Sequence, residues 1–115
     1  MSAVFAHATG TKAGDRAEVR ALERVLGDRL EQTPVPAIKS MTGHMLGASG
    51  AVQAVAAVKS LCSGILPPTI NYQTPDPDCS VDCVPNEARR VPLRQVLSDS
   101  FGFGGHNACL VFSIT

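Results

Sequence analysis

The sequence has three histidines, His7, His44 and His106, and each stands close to glycine and to threonine or asparagine. Such stretches are typical of connections between strands and helices. Functional groups concentrate in connections, because the elements on either side hold them in place. A single loop histidine is more often a hydrogen-bonded structural residue than a catalytic one. Three histidines in connections of the same kind favour a shared site.

His44 lies five residues after Lys39 and immediately before an apolar segment that reads as a buried helix. A nearby ammonium group and a helix N-terminus both disfavour a second cation, so the imidazole should stay neutral and donate a hydrogen bond. Neutral donors aimed at developing negative charge are effective in a dry site. If His7 converges on the same point, the pair would stabilise an enolate.

The glycine-rich stretch 101–107 invites comparison with a nucleotide-binding loop. A phosphate-binding fingerprint requires G-x-G-x-x-G at the start of a helix, whereas a strand-like segment follows here. The stretch equally suits a tight turn whose backbone N–H approaches a ligand closely, as an oxyanion hole requires. The nucleotide hypothesis is therefore disfavoured.

Four cysteines are present, but none has C-x-x-C spacing, and no H-E-x-x-H motif occurs. Cys79 and Cys83 lie in a proline-rich stretch without a nearby histidine, while Cys62 and Cys109 lie in apolar runs, where a free thiol behaves as a small hydrophobic group. The sequence therefore predicts no metal site and reduced thiols in a cytoplasmic protein.

The first half of the chain predicts a strand, a surface helix and a second short strand. Val4–Ala6 is a short apolar run ended by a polar, glycine-containing stretch. Asp15 followed by Glu18 fits a capping box at the start of an amphipathic helix that Gly27 ends, and we prefer capping to an acid/base pair of carboxylates. Prolines restrict Val35–Ile38 to an edge strand or an irregular run.

The second half predicts a buried helix and a hairpin. Leu46–Cys62 is apolar around its whole circumference, which indicates a central helix packed on all sides. Residues 64–92 contain six prolines and suit an extended excursion with a short strand at Thr69–Asn71. Strands at Arg94–Asp99 and Ala108–Ile114 flank the glycine-rich turn. The class is α/β with a mixed sheet.

Length and charge exclude several classes of protein. At 115 residues the chain forms one domain, and 44% hydrophobic with 17% charged residues is incompatible with disorder. The formal net charge is zero and no basic run occurs, so nucleic acid is not an expected partner. Gln53 and Lys59 interrupt the longest apolar stretch, which is too short to span a bilayer, and no secretion signal is visible.

Several blocks of the sequence resemble the β-ketoacyl-acyl carrier protein synthases, specifically the synthase II condensing enzymes of fatty acid synthesis. The blocks occur in the family's order and cover nearly the whole chain. They are Ala6–Thr11 with Gly14, Asp15 and Glu18; Lys39–Ala48; Leu66–Asn71; Thr74–Pro77; Val84–Arg89; and Ser100–Asn107.

The resemblance implies a thiolase-like fold built from two similar α/β halves, of which residues 1–115 would be the C-terminal half. In the family, a nucleophilic cysteine lies in the N-terminal half, and no cysteine of this chain stands in a matching block. The implied partners are that N-terminal half, acyl carrier protein and a second copy of the complete enzyme. No bound cofactor is implied, because the substrate is carried on the carrier's phosphopantetheine.

The resemblance also implies roles for individual residues. His7 and His44 would hold the malonyl thioester carbonyl and stabilise the carbanion as carbon dioxide leaves, while Lys39 supports His44. The Phe103 amide would contribute to the oxyanion hole and its ring would gate the pocket. Thr9 and Thr11 would contact the pantetheine arm. Support of the lysine network would come from Asp15, Glu18 and Gln53.

Some residues depart from the family pattern. Gln53 stands where these enzymes usually place a glutamate near the lysine, and Gly10 and Lys12 replace a more usual Ser or Thr and Pro. Two alternatives to a fatty acid synthase therefore stay open. One is a non-catalytic thiolase-like binding module or split subunit, and the other is a fragment of a polyketide ketosynthase. The isolated chain is predicted to be inactive in condensation.

Overall fold

The computed structural model describes residues 1–114, which form a small mixed sheet with a helix on each face. The strands are β1 (Ala3–Phe5), β2 (Ile65–Leu66), β3 (Arg89–Arg90), β4 (Gln95–Gly102) and β5 (His106–Ser113). The α-helices are α1 (Lys12–Leu26), α2 (Lys39–Thr42) and α3 (Ser49–Ser63). Short 3-10 turns occupy Gly27–Gln32, Leu46–Ala48, Pro77–Cys79 and Phe103–Gly105.

The main sheet has the order β1-β4-β5. β1 is parallel to β4, with Val4 opposite Leu97, and β5 is antiparallel to β4, with Cys109 opposite Asp99. On the other side of β1, the Val4 N–H donates to the Pro34 carbonyl at 2.9 Å. The segment predicted as a proline-restricted strand therefore lies beside β1 as an irregular extended run. The mixed sheet and the α/β class are confirmed.

Two clusters of buried side chains lie on opposite faces of β1, because successive strand residues point to opposite sides. Phe5 packs with Ala57 and Leu61 of α3, whereas Val4 packs with Leu22 of α1. The sheet is thus the middle layer between α1 and α3. No helix within residues 1–114 has the length and apolar character needed to cross a membrane.

Helix α1 begins four residues earlier than predicted. Thr11 is its N-cap, with the hydroxyl accepting the Gly14 N–H at 3.3 Å. The prediction of Asp15 as the N-cap is therefore wrong: Asp15 lies in the first turn and accepts the Gly10 N–H at 3.2 Å. A threonine in extended conformation directly before the helix offers the first free N–H groups an acceptor sooner. The helix ends at Gly27, as predicted.

Helix α3 is covered on one face only. Gln53, Ala57 and Leu61 are buried, whereas Val55 is 60% exposed and Val52 is 37% exposed. The prediction that all sides of this helix are packed is wrong for this chain, because the chain supplies a sheet on one side alone. The first residues of the predicted helix form a separate 3-10 turn.

The proline-rich segment contains a small ladder that was not predicted, β2 paired antiparallel with β3. The predicted strand at Thr69–Asn71 is wrong: Thr69 makes an isolated bridge to Pro85, and Asn71 has φ +60°, which ends the extended run. The predicted hairpin is confirmed, and its strands reach further into the glycine-rich stretch, leaving a three-residue loop.

Candidate active site

The rings of His7 and His44 lie close together. Their centroids are 5.6 Å apart and their planes meet at 89°. His7 follows β1 by two residues, and His44 lies between α2 and α3. The ring of Phe101, at the end of β4, lies 5.5 Å from that of His7. The predicted convergence of two imidazoles borne by separate connections is found.

Glu18 of α1 fixes the loop that carries His7. Its two carboxylate oxygens accept the backbone N–H groups of His7 and Ala8, both at 2.8 Å. Glu18 is 6% exposed. Burial raises the pKa of its carboxyl, and the two N–H donors act in the opposite direction. Through these two bonds, Glu18 holds the backbone of the His7 loop against the first helix.

The contacts of His44 fix which ring nitrogen carries the proton. The Leu46 N–H donates to Nδ1 at 3.2 Å, and the Ser49 hydroxyl lies 3.0 Å from the same nitrogen. A backbone N–H donates only, so Nδ1 acts as an acceptor and the proton lies on Nε2. The Ser49 hydroxyl in turn accepts the Met45 N–H at 2.8 Å. His44 is therefore an Nε2–H donor.

Lys39 completes the charge arrangement around the two rings. Its Nζ donates to Gln53 Oε1 at 3.4 Å. Burial lowers the pKa of Lys39, and Glu18 opposes that change. The pKa of His7 is lowered by burial first and then by the charge of Lys39. His7 thus favours its neutral form, and its Nδ1 is buried without a partner among residues 1–114.

Removing the charge at Lys39 should raise the pKa of His7. The pKa of His7 lies below its ordinary value of 6.5. The folded state therefore favours the neutral ring, and the free energy of unfolding decreases as the pH falls below 6.5 and the ring takes up a proton. In Lys39→Met, the imidazolium no longer faces an ammonium group, so His7 should bind its proton at higher pH. NMR titration of the ring protons measures this. Lys59→Met, on exposed helix surface, should leave the titration unchanged; an unchanged value in Lys39→Met would exclude the coupling.

Thr9 and Thr11 lie at the start of α1, with their hydroxyls 3.2 Å apart. Thr11 lines a surface cleft of about 260 Å³ together with Asp15, Tyr72 and Cys79. The threonines bond to one another, and Thr11 also caps the helix. Asp15 serves the same helix start and does not bond to Lys39.

Phe103 and His106 lie at the tip of the β4–β5 hairpin. The Phe103 side chain is 92% exposed, and the aromatic ring against His7 belongs to Phe101. Gly104 and Gly105 have φ +78° and +80°, which permits the three-residue loop. His106 begins β5 and its ring lies near Gly104. The structure therefore assembles His7, His44, Lys39, Glu18 and Gln53, while Phe103 and His106 stay outside this cluster.

Sequence reasoning missed Phe101, Ser49 and Asp99. Asp99 is 3% exposed in β4, and burial raises the pKa of its carboxyl. A hydrogen bond to Asp99 is the main cause that raises the pKa of the Cys109 thiol to about 11, so Cys109 is a poor nucleophile at neutral pH. The available signal was an acidic residue inside an otherwise strand-like run.

Comparison with known proteins gives a consistent match. Residues 1–73 match the family model described as beta-ketoacyl synthase, C-terminal domain. A Streptomyces halstedii protein named as a polyketide beta-ketoacyl synthase is 49% identical over 110 residues, which are 96% of this chain and 26% of that protein. The 3-oxoacyl-[acyl-carrier-protein] synthase 2 of Synechocystis is 46% identical over 112 residues, 97% of this chain and 27% of that enzyme.

A solved structure shares the fold over nearly the whole chain. It is the apo form of AntDE:AntF, described as a type II PKS acyl-carrier protein in complex with its ketosynthase bound to the hexaketide. The TM-score is 0.96 with 38% identity, covering 99% of this chain and 28% of that one. The chain therefore spans about a quarter of the length of the proteins it matches.

Proposed function

Because the chain belongs to the β-ketoacyl synthase family and carries its C-terminal domain, we propose that it supplies His7, His44 and Lys39 to a decarboxylative Claisen condensation. The reaction would join malonyl-acyl carrier protein to an acyl thioester in fatty acid elongation. The observation that carries this proposal is the 5.6 Å approach of the two imidazoles, one of them a fixed Nε2–H donor.

In the proposed reaction, the two rings donate hydrogen bonds to the thioester carbonyl oxygen of the malonyl group. As the bond to the carboxylate breaks, carbon dioxide leaves and the electron pair moves into an enolate, so negative charge develops on that oxygen. Neutral donors already in place stabilise this charge by about 3 kcal/mol each. The enolate carbon then attacks the acyl thioester, and a thiolate leaves.

Lys39 and Glu18 keep the donors in the required state. Burial and then the ammonium group of Lys39 lower the pKa of His7, which favours a neutral imidazole that donates a hydrogen bond and keeps its proton. The Glu18 carboxylate accepts the consecutive backbone N–H groups of His7 and Ala8. The reaction needs no bound cofactor, since both acyl groups arrive as thioesters, the malonyl group on the phosphopantetheine of acyl carrier protein.

The residues outside the histidine cluster receive roles in substrate access. The Phe103 amide would serve the oxyanion hole for the acyl thioester, and its exposed ring is free to cover the pocket. Thr9 and Thr11 would hydrogen-bond the pantetheine arm, beside the cleft that Thr11 lines. A structure of the enzyme with bound substrate tests these assignments.

The N-terminal half of a complete enzyme is the proposed partner and source of the nucleophilic cysteine. The outer face of α3 exposes Val52, Val55 and Val58, and β5 exposes Leu110 and Val111. Exposed apolar side chains grouped on one face of a helix support an interface there. The complete enzyme would be a cytoplasmic homodimer.

Two other functions have specific support. Similarity to a polyketide synthase of Streptomyces halstedii and to a type II PKS complex favours a polyketide ketosynthase. The neutral Gln53 beside Lys39 favours a non-catalytic module or split subunit. The length of the acyl product separates the first from fatty acid elongation, and the absence of any condensation in the joined enzyme would identify the second.

The isolated chain should give no ketoacyl product, and joining it to an N-terminal half should restore condensation. The expected result follows because, by the family resemblance, none of the chain's cysteines stands at the position of the nucleophile. The Cys109 thiol also stays protonated at neutral pH. The assay measures ketoacyl product from malonyl-acyl carrier protein and an acyl thioester. Product from the chain alone would contradict the proposal, whereas no product from the joined halves would favour the non-catalytic alternative.

A further inference from the structure

Gln53 is the most completely bonded side chain near the site. It lies on α3 and is fully buried. Its Nε2 has two hydrogens, which donate to the Phe5 carbonyl at 2.8 Å and to the Asp99 carbonyl at 2.7 Å, and Ser98 Oγ lies 3.1 Å from the same nitrogen. Its Oε1 accepts from Lys39 Nζ at 3.4 Å. One carboxamide therefore contacts the two parallel strands and the lysine.

The chemistry of these contacts fixes the orientation of the amide. Two backbone carbonyls can only accept, and the ammonium of Lys39 can only donate. Exchanging the amide oxygen and nitrogen would place an oxygen against two carbonyls and an NH2 group against an ammonium. The amide nitrogen, a donor, thus meets acceptors, and the amide oxygen, an acceptor, meets a donor.

The strand contacts lie next to the functional residues. Phe5 is two residues before His7, and Asp99 is two residues before Phe101, whose ring packs on His7. Because Gln53 is 0% exposed, water does not compete for these bonds. The amide links the placement of Lys39 to the ends of the strands that carry His7 and Phe101.

We propose that Gln53 is a positioning residue whose amide nitrogen ties the ends of β1 and β4 together while its oxygen holds Lys39 beside the histidines. The neutral amide orients Lys39 through a hydrogen bond and adds no charge, which leaves Glu18 as the carboxylate acting on it. The proposal rests on the proposed function only for the reaction that Lys39 and His7 serve.

Two substitutions separate the amide's hydrogen bonds from its volume. Gln53→Glu keeps an acceptor for Lys39, adds a negative charge and replaces the nitrogen that faces the carbonyls. Gln53→Met keeps the side-chain length but removes the bonds to both carbonyls and to Lys39. Gln32→Glu, on an exposed 3-10 turn, makes the same charge change away from the site. NMR titration of the Lys39 side chain, with the ring signals of His7 and Phe101, is measured on the chain without substrate.

Opposite responses are expected. In Gln53→Glu, Lys39 should titrate at a pH about 1 higher, because a carboxylate now faces its ammonium group. In Gln53→Met it should titrate at lower pH, because the hydrogen bond to the charged form is lost. Both variants should shift the His7 and Phe101 signals, and Gln32→Glu should shift neither.

Equal or absent responses of Lys39 in the two variants would overturn the proposal and make Gln53 a packing residue. Loss of folding in both variants would also overturn it, since Gln53 would then serve the fold and not the placement of Lys39. The titrations need no catalysis, so a failed condensation assay leaves them readable and the two failures are distinguishable.

Discussion

Replacing His44 by alanine in the enzyme that this chain forms with an N-terminal half should lower malonyl decarboxylation by about 100- to 1,000-fold. The reason is geometric. The Leu46 N–H donates to Nδ1, so the ring offers a fixed Nε2–H, and the His7 ring lies 5.6 Å away. Removing the ring removes a donor that acts mainly on charge developing in the transition state. Release of labelled carbon dioxide from malonyl-acyl carrier protein measures the loss.

His106→Ala is the matched control for this substitution. His106 is exposed at the start of β5 and stands outside the cluster of His7 and His44. Its removal should leave decarboxylation within about twofold of the unmodified enzyme, because surface changes away from a site have small energetic effects. A His44→Ala enzyme that is folded by circular dichroism and still decarboxylates at the unmodified rate would refute the role of His44.

Replacing Glu18 by alanine should lower the free energy of unfolding by about 2–4 kcal/mol. The carboxylate is the acceptor for two part-buried N–H groups, those of His7 and Ala8. Without it, both donors lose their partner and the loop loses its contact with α1. Urea denaturation at 25 °C measures the change, and the His7 ring signal in NMR should move because the loop is released.

Glu23→Ala provides the comparison within the same helix. Glu23 is exposed on α1, so its removal should change the free energy of unfolding by less than about 0.5 kcal/mol. If Glu18→Ala unfolds at the same urea concentration as Glu23→Ala, the Glu18 carboxylate does not hold the His7 loop. A loss of stability with an unmoved His7 signal would limit its role to the fold.

The fold was predictable where local patterns were unambiguous. β1, the end of α1 at Gly27 and the β4–β5 hairpin follow from apolar runs and glycine placement. The start of α1 was not predictable from the sequence, because Thr11 and Asp15 both fit an N-cap. Only the backbone conformation of Thr11 decides between them. The exposed face of α3 has the same apolar composition as its buried face, so periodicity alone could not distinguish them.

The two histidines were predictable from the sequence, and the family resemblance implied Glu18 and Gln53 as supports of the lysine network. The individual contacts of these supports were not predictable. His7, His44 and Lys39 follow from residue type and placement at element ends. The contacts of Gln53 with the two strands join residues 45 to 48 positions apart in the chain, and only the packing of α3 on the sheet creates them. Phe101 and Phe103 are separated by Gly102, and only the geometry of the hairpin determines that Phe101, and not the predicted Phe103, packs on His7.

The structure of the joined enzyme with a non-decarboxylating malonyl thioester analogue tests the central claim most directly. If His7 and His44 hold the malonyl thioester, its carbonyl oxygen should lie within about 3.2 Å of both His44 Nε2 and a ring nitrogen of His7. An analogue bound with that oxygen out of hydrogen-bonding reach of either imidazole would contradict it.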